Sequence, residues 1–160
     1  MRKLTILAAI LLCSNLLQAQ HIDHCTADGL MARIAKKDTL FIIHFWATWC
    51  GPCVKEMGEY NKLQKKYEGS IVKIILVSLD RDRDYPQKIA RFADKKSLTS
   101  EIVWLSDADP NSYIPRIDDT WQGSIPATLI IQPSKYFRQF VEGEATAGQI
   151  SGIVDKQLSL

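Results

Sequence analysis

Residues 45–53 read FWATWCGPC, which places a Cys-x-x-Cys pair directly after an apolar segment. Residues 41–47 are almost continuously apolar, as expected for a strand that is buried on both faces of a sheet. After the pair, apolar side chains recur at steps of three or four between Lys and Glu, at Val54, Met57, Tyr60, Leu63 and Tyr67. This spacing predicts an amphipathic helix, so the two cysteines lie where a strand turns into a helix.

The position of Cys50 at the start of that helix favours its ionised form. Unpaired backbone N–H groups and the helix dipole stabilise an anion there, and the thiolate is the species that attacks a disulfide. Lowering a thiol pKa from about 8.5 to about 7 raises the thiolate fraction at pH 7 from a few per cent to about half. Cys53 lies one turn later, close enough to resolve a mixed disulfide formed at Cys50.

Two other uses of a Cys-x-x-Cys pair fit the sequence less well. A structural zinc site needs two further ligands at workable spacing, and the sequence has no second Cys-x-x-Cys. A c-type haem site needs a histidine after the second cysteine, where Val54 stands. No metal or organic cofactor is therefore expected, and a metal-binding module with Cys50 and Cys53 as ligands is kept as an alternative.

Elements on both sides of this turn complete an alternating pattern. A short helix after a cap at Asp28 is expected before it, and residues 71–79, 85–96 and 102–105 are predicted as strand, helix and strand. Residues 106–123 carry two prolines and a glycine and are predicted to be irregular.

The last part of the chain predicts a hairpin and a helix. Residues 127–131 and 136–141 are expected to pair as strands. Thr146 and Gln149 have the spacing of a capping box at the start of a final helix. Together these elements predict an α/β protein with a mixed sheet.

Residues 1–19 have the pattern of a cleaved secretory signal. Arg2 and Lys3 precede an apolar run at residues 4–12, which is shorter than the roughly 20 residues of a membrane-spanning helix. Cys13 follows the bulky Leu12, whereas a lipoprotein signal has a small residue there, so cleavage is favoured over a lipid anchor or an uncleaved anchor. Residues 20–160 are then one domain.

Charge and cysteine count narrow the class of protein. The chain has 20 basic and 18 acidic residues, and removal of the signal with Arg2 and Lys3 leaves 18 of each. A neutral mature chain does not indicate binding to nucleic acid or to an anionic membrane surface. Cys25 is left as an odd thiol beside the close pair, an arrangement that fits redox chemistry better than a disulfide framework.

Residues 45–53 resemble the active-site segment of thioredoxins, and most of all that of the exported thioredoxin-like reductases of the TlpA/ResA type. The resemblance extends over about residues 30–158. It implies a thioredoxin fold, with a mixed central β-sheet flanked by helices on both faces, and a redox-active disulfide between Cys50 and Cys53.

The same resemblance implies a set of substrate-binding residues. Residues 124–128, SIPAT, resemble the segment in which the family has a cis-proline beside the disulfide. Pro126 is then the cis-proline, Ile125 pairs with the substrate chain, and Trp49 lies beside the chemistry.

Two titratable residues near the pair are assigned by the family's pattern. Glu56 follows Cys53 by three residues on the same helix face, and relatives of the TlpA/ResA type carry a functional glutamate at this offset; the alternative is a solvated surface residue. His44 departs from thioredoxins, which have a buried aspartate six residues before the first cysteine. It is expected either to transfer a proton for Cys53 or to be a neutral core residue with a backbone partner.

These observations predict a periplasmic or otherwise extracytoplasmic protein disulfide reductase. Its expected partners are disulfide-bearing exported proteins, with apocytochrome c as one candidate, and a membrane donor of electrons. A disulfide oxidase or isomerase on the same fold is the nearest alternative.

Overall fold

The computed structural model describes residues 22–35 and 38–160. Within these ranges the chain forms six strands and five α-helices. The strands are β1 (Asp23–Cys25), β2 (Leu40–Trp46), β3 (Val72–Ser78), β4 (Glu101–Leu105), β5 (Ala127–Gln132) and β6 (Phe137–Glu142). The helices are α1 (Ala27–Ile34), α2 (Gly51–Lys66), α3 (Gln87–Lys96), α4 (Pro110–Ile117) and α5 (Ala147–Leu158).

The strands form one mixed sheet in the order β1-β4-β3-β2-β5-β6. Four strands are parallel to one another: β1, β4, β3 and β2. The strand β5 pairs antiparallel with both β2 and β6. The central strand β2 is buried along its whole length, which explains its continuous apolar sequence. The predicted mixed α/β sheet is therefore confirmed.

Helices cover both faces of the sheet, because alternate residues of a buried strand point to opposite sides. Ile42 and Trp46 of β2 belong to one core with residues of α2, α3 and α5. Phe41 and Phe45 belong to the other core, with residues of α1 and α4. His44 shares the strand face of Ile42 and Trp46, and this places it opposite α2.

Several predicted elements are observed with shifts of a few residues. The helix after the cysteines, the two strands of the hairpin and the final helix all form. Thr146 and Gln149 make the expected capping box at the start of α5.

The N-terminal part of the fold differs from the prediction. α1 is capped by Thr26, whose Oγ1 accepts the N–H of Gly29 at 3.2 Å, and not by Asp28, which lies inside the helix. Cys25 ends β1, an edge strand that pairs with β4 from Asp23 to Cys25 and was not predicted. Such a short polar strand has no hydrophobic pattern of its own, and it forms because β4 offers a free edge.

The prediction that residues 106–123 are irregular was wrong, because they contain α4. Asp109 caps this helix by accepting the N–H of Asn111 at 3.0 Å, and Pro110 occupies the first turn, where no N–H is needed. Pro115 lies inside α4 and removes only one backbone hydrogen bond of this eight-residue helix.

The predicted signal peptide at residues 1–19 lies outside the described residues. In the part of the chain that is described, no helix is both long and apolar enough to cross a membrane.

Candidate active site

Cys50 and Cys53 are joined by a disulfide at the N-terminus of α2. Cys50 is the N-cap residue, and its Sγ accepts the backbone N–H of Cys53 at 3.2 Å. Cys50 is 6% exposed and Cys53 is fully buried, so the first sulfur is the one that solvent and a partner can reach. Gly51 and Pro52 start the helix without placing a charged group beside the sulfurs.

A buried carboxylate holds the loop that leads into the pair. Asp80 accepts the backbone N–H of Thr48 at 2.9 Å and the Thr48 hydroxyl at 2.5 Å. It also accepts the hydroxyl of Ser78 at 2.8 Å, and its own carbonyl accepts the indole N–H of Trp104. Because β2 and β3 are parallel, their carboxyl ends meet at one edge, and this explains why Asp80 reaches the residues just before Cys50.

The loop before β5 forms the opposite side of the site. The Ile125–Pro126 peptide bond is cis, as the resemblance implied, and the Ile125 carbonyl oxygen lies 3.6 Å from Cys50 Sγ. Glu142 of β6 anchors this loop by accepting the backbone N–H groups of Gln122 and Ser124.

A cleft of about 650 Å³ opens beside the disulfide. Trp49, which is 61% exposed, and Ile125 line its end nearest Cys50. Trp104 and Tyr113 also line it. Tyr113 comes from α4, so the helix that the sequence did not predict forms a wall of this cleft.

Glu56 points into the protein and not into solvent. It is 6% exposed, its Oε2 accepts the backbone N–H of Ala145 at 3.0 Å, and its Oε1 lies 3.2 Å from His44 Nε2. The alternative of a solvated surface glutamate is therefore wrong. His44 is fully buried, its ring stacks on that of Tyr60 with centroids 3.9 Å apart, and its Nδ1 lies 3.3 Å from Thr128 Oγ1.

Burial dominates the electrostatics of these groups. It raises the pKa of Glu56 to about 7, although the Ala145 N–H acts in the opposite direction. It lowers the pKa of His44 to about 3, so the imidazole is neutral and its contact with Glu56 is not an ion pair. Burial also raises the pKa of the free thiol of Cys25.

The structure brings together most of the residues that the sequence singled out. The Ile125 carbonyl contacts Cys50 Sγ, Trp49 lines the same cleft as Ile125, and Glu56 follows Cys53 by one turn on the inner face of α2. Asp80 and Glu142 were missed as positioning residues. Asp80 carries a usable signal, since it comes directly after a buried strand parallel to β2; Glu142 carries none.

Residues 22–35 and 38–160 contain no group of three or more His, Cys, Asp or Glu arranged to hold a metal ion.

The sheet order, the helices on both faces and a Cys-x-x-Cys disulfide at a helix N-terminus define a thioredoxin-like protein. The chain belongs to the AhpC/TSA family, which it matches over residues 28–139.

Named relatives are thiol-disulfide oxidoreductases. The chain is 29% identical over 115 residues to the thiol-disulfide oxidoreductase ResA of Oceanobacillus iheyensis, which covers 71% of this chain and 55% of that protein. It is 31% identical over 78 residues to the sporulation thiol-disulfide oxidoreductase A of Bacillus subtilis, covering 49% of this chain and 47% of that protein. The chain thus spans about half the length of these relatives.

A solved structure has the same fold. The thioredoxin-related protein from Neisseria meningitidis serogroup B superposes with a TM-score of 0.66 at 26% identity, covering 78% of this chain and 88% of that one. The predicted resemblance to thioredoxin-like proteins, and to the ResA type among them, is confirmed.

Proposed function

We propose that this protein is a thiol-disulfide oxidoreductase that reduces disulfides of exported proteins through Cys50 and Cys53. The observation that carries the proposal is the disulfide at the N-terminus of α2, with the more exposed sulfur, that of Cys50, beside an open cleft. The names of the relatives support the same activity.

In the proposed cycle the reduced protein donates two electrons. The Cys50 thiolate attacks one sulfur of the substrate disulfide, which forms a mixed disulfide and releases the other sulfur as a thiolate that takes up a proton. Cys53 then loses its proton and attacks Cys50 Sγ, which releases the second substrate sulfur and leaves the Cys50–Cys53 disulfide. Two thiols of the protein are oxidised as one substrate disulfide is reduced to two thiols.

The surroundings of the pair suit these steps. Backbone N–H groups at the start of α2 stabilise the Cys50 thiolate, as the contact from the Cys53 N–H illustrates. Trp49, Ile125 and Pro126 are proposed to position the substrate chain next to Cys50. Glu56, with a pKa of about 7, is proposed to take the proton from Cys53, because it is half ionised near neutral pH.

The proposed setting is the periplasm or another extracytoplasmic compartment, reached by cleavage of residues 1–19. The substrates are disulfide-bearing exported proteins, apocytochrome c among the candidates, and a membrane electron donor returns the pair to the dithiol. Export is supported by the apolar run and by the small residue Ala19 before position 20.

The test uses single-cysteine variants and a disulfide substrate such as insulin. Cys53→Ser should accumulate a mixed disulfide at Cys50 and lose turnover, because the resolving thiol is missing. Cys50→Ser should form no adduct with the substrate. The matched control Cys25→Ser should turn over at the wild-type rate. Trapping at Cys53 or Cys25, or turnover by Cys50→Ser, would refute the assignment.

A further inference from the structure

A chain of polar side chains crosses the core between α2 and the sheet. The Tyr60 hydroxyl lies 2.7 Å from Thr128 Oγ1, which lies 3.3 Å from His44 Nδ1. On the other side of the imidazole, Nε2 lies 3.2 Å from Glu56 Oε1. The second carboxyl oxygen, Oε2, accepts the Ala145 N–H at 3.0 Å.

Two atoms in this chain have no hydrogen-bond partner among the described residues apart from each other. They are His44 Nε2 and Glu56 Oε1, both fully enclosed. A buried polar atom without a partner is costly, and a single proton on the line between these two atoms would satisfy both.

The proton between Nε2 and Oε1 can be bound to either His44 or Glu56. The neutral imidazole allows both arrangements, because each of its two tautomers fits one of them. If Glu56 is ionised, His44 must carry its proton on Nε2 and donate it to Oε1, while Nδ1 accepts the Thr128 hydroxyl. If Glu56 is protonated, its Oε1–H donates to Nε2 and the ring proton moves to Nδ1. There it faces the Thr128 oxygen and the backbone carbonyl of Ala127.

We propose that His44 is a positioning residue for Glu56. The His44 ring changes its tautomer whenever Glu56 gains or loses a proton. The carboxyl group thus keeps its orientation and a hydrogen-bond partner in both states, and no second charge enters the core. Under the proposed function, this exchange lets Glu56 take up and release the cysteine proton without rearrangement of the core.

The charged groups around His44 and Glu56 indicate that Glu56 exchanges protons with water and that His44 responds. On α2, Glu59 and Lys55 border a hollow of about 230 Å³ that reaches Glu56, and Glu144 borders it from the segment before α5. The two carboxylates raise the pKa of Glu56, although burial contributes more. His44 is fully buried, and among the described residues its imidazole contacts the Glu56 carboxyl group, the Tyr60 ring and the Thr128 hydroxyl. Protons therefore exchange with water at Glu56, and His44 responds to that exchange.

The tautomer of His44 can be read directly by ¹⁵N NMR of the oxidised protein. We expect the Nε2–H form well above pH 7 and the Nδ1–H form well below it, with no imidazolium signal at pH 5. The midpoint should coincide with the titration of the Glu56 side-chain ¹³C signal. A single tautomer over the whole range, or an imidazolium at pH 5, would overturn the proposal.

Three variants separate the coupling from other effects. Glu56→Gln should fix one tautomer at all pH values, whereas Glu59→Gln, at the neighbouring carboxylate, should leave the change in place. His44→Leu should shift the Glu56 midpoint upward by about one pH unit, because both forms lose a hydrogen bond and the charge-assisted bond to the ionised form is the stronger of the two. An unshifted midpoint in a folded His44→Leu protein would also contradict the proposal. Since the Cys50–Cys53 disulfide stays closed, these readings do not depend on whether the pair catalyses exchange.

Discussion

At the scale of single residues, the three cysteines of the described region differ in exposure and in charge environment. Cys50 caps α2 and is the more exposed member of its pair, whereas Cys53 is fully buried. Cys25 is half-buried at the end of β1, and burial raises the pKa of its thiol. A raised pKa leaves less thiolate at neutral pH, and the thiolate is the reactive form.

We therefore expect Cys50 to react fastest when the reduced protein is alkylated at pH 7. Cys25 should follow, and Cys53 should be slowest because solvent does not reach it. Alkylation with iodoacetamide, followed by mass spectrometry of each cysteine-containing peptide, measures the order. Faster labelling of Cys25 than of Cys50 would contradict the assigned roles.

The role of a residue could be predicted from the sequence where the residue belongs to a motif. It could not be predicted where the role depends on contact between two elements that are distant in sequence. The Cys-x-x-Cys pair and Pro126 belong to short segments with a family pattern. The contact between His44 and Glu56 joins β2 to α2, and neither residue's sequence neighbours indicate it. A buried His opposite a buried Glu becomes visible only once helix and strand are packed together.

At the scale of elements, the loop between β2 and α2 depends on Asp80. This carboxylate accepts two hydrogen bonds from Thr48 and one from Ser78, and it is 4% exposed. Charge-assisted hydrogen bonds of this kind contribute more than neutral ones.

Asp80→Asn should destabilise the protein by about 2 kcal/mol, since one of the two accepting oxygens becomes an NH2 group, which cannot accept a hydrogen bond from Thr48 or Ser78. The rate of disulfide exchange should also fall, because Thr48 then positions Cys50 less well. Urea unfolding and insulin reduction measure the two effects. The matched control for stability, Asp82→Asn, changes an exposed carboxylate on the same segment and should leave the free energy of unfolding unchanged. Equal stability of the two variants would remove Asp80 from this role.

Helices and strands with a clear hydrophobic pattern could be predicted. An element that is stable only through pairing with a neighbouring element could not. β2 is a continuous apolar run, α2 has apolar residues at steps of three or four along its length, and both elements were predicted. β1 has three residues and depends on pairing with β4. α4 had a usable signal in Asp109 and Pro110, a cap followed by a proline at the first position, but Pro110 was taken with Pro115 and Gly123 as a sign of irregular structure.

At the scale of the whole molecule, Glu56 and His44 make opposite contributions to the pH dependence of stability. The pKa of Glu56 is about 7 in the folded protein against an ordinary 4.5, so its contribution is full below pH 4.5 and is lost as pH rises through 7. The pKa of His44 is about 3 against an ordinary 6.5, so its contribution is full above pH 6.5 and is lost as pH falls towards 3.

Between about pH 4.5 and 6.5 these two contributions should nearly cancel, and the wild-type free energy of unfolding should be almost flat. Glu56→Gln should leave a rise with pH of up to about 1.4 kcal/mol per unit, and His44→Asn should leave a fall of similar size. Hydrogen bonds from Lys62 and Lys66 lower the pKa values of Glu59 and Asp155, so these groups act below this window. Urea unfolding at three pH values gives the slopes, and slopes of the same sign in both variants would contradict the account.

The direction of electron flow is the remaining property of the whole molecule, and it follows from how strongly the Cys50 thiolate is stabilised. Gly51 and Pro52 carry no charged side chain, and the Cys53 backbone N–H at the helix N-terminus donates to Cys50 Sγ, so we expect this terminus to stabilise the thiolate to a moderate degree. Strong oxidants of the DsbA type owe a potential near −120 mV to a heavily stabilised reduced form, whereas thioredoxin lies near −270 mV.

The most direct test of the central claim is the equilibrium reduction potential of the Cys50–Cys53 pair, measured in the Cys25→Ser variant against glutathione and dithiothreitol buffers. We predict one reversible two-electron transition nearer to about −270 mV than to about −120 mV, as expected for a disulfide reductase. A potential near −120 mV would make the protein an oxidase. The absence of a reversible transition would contradict a redox role for the pair altogether.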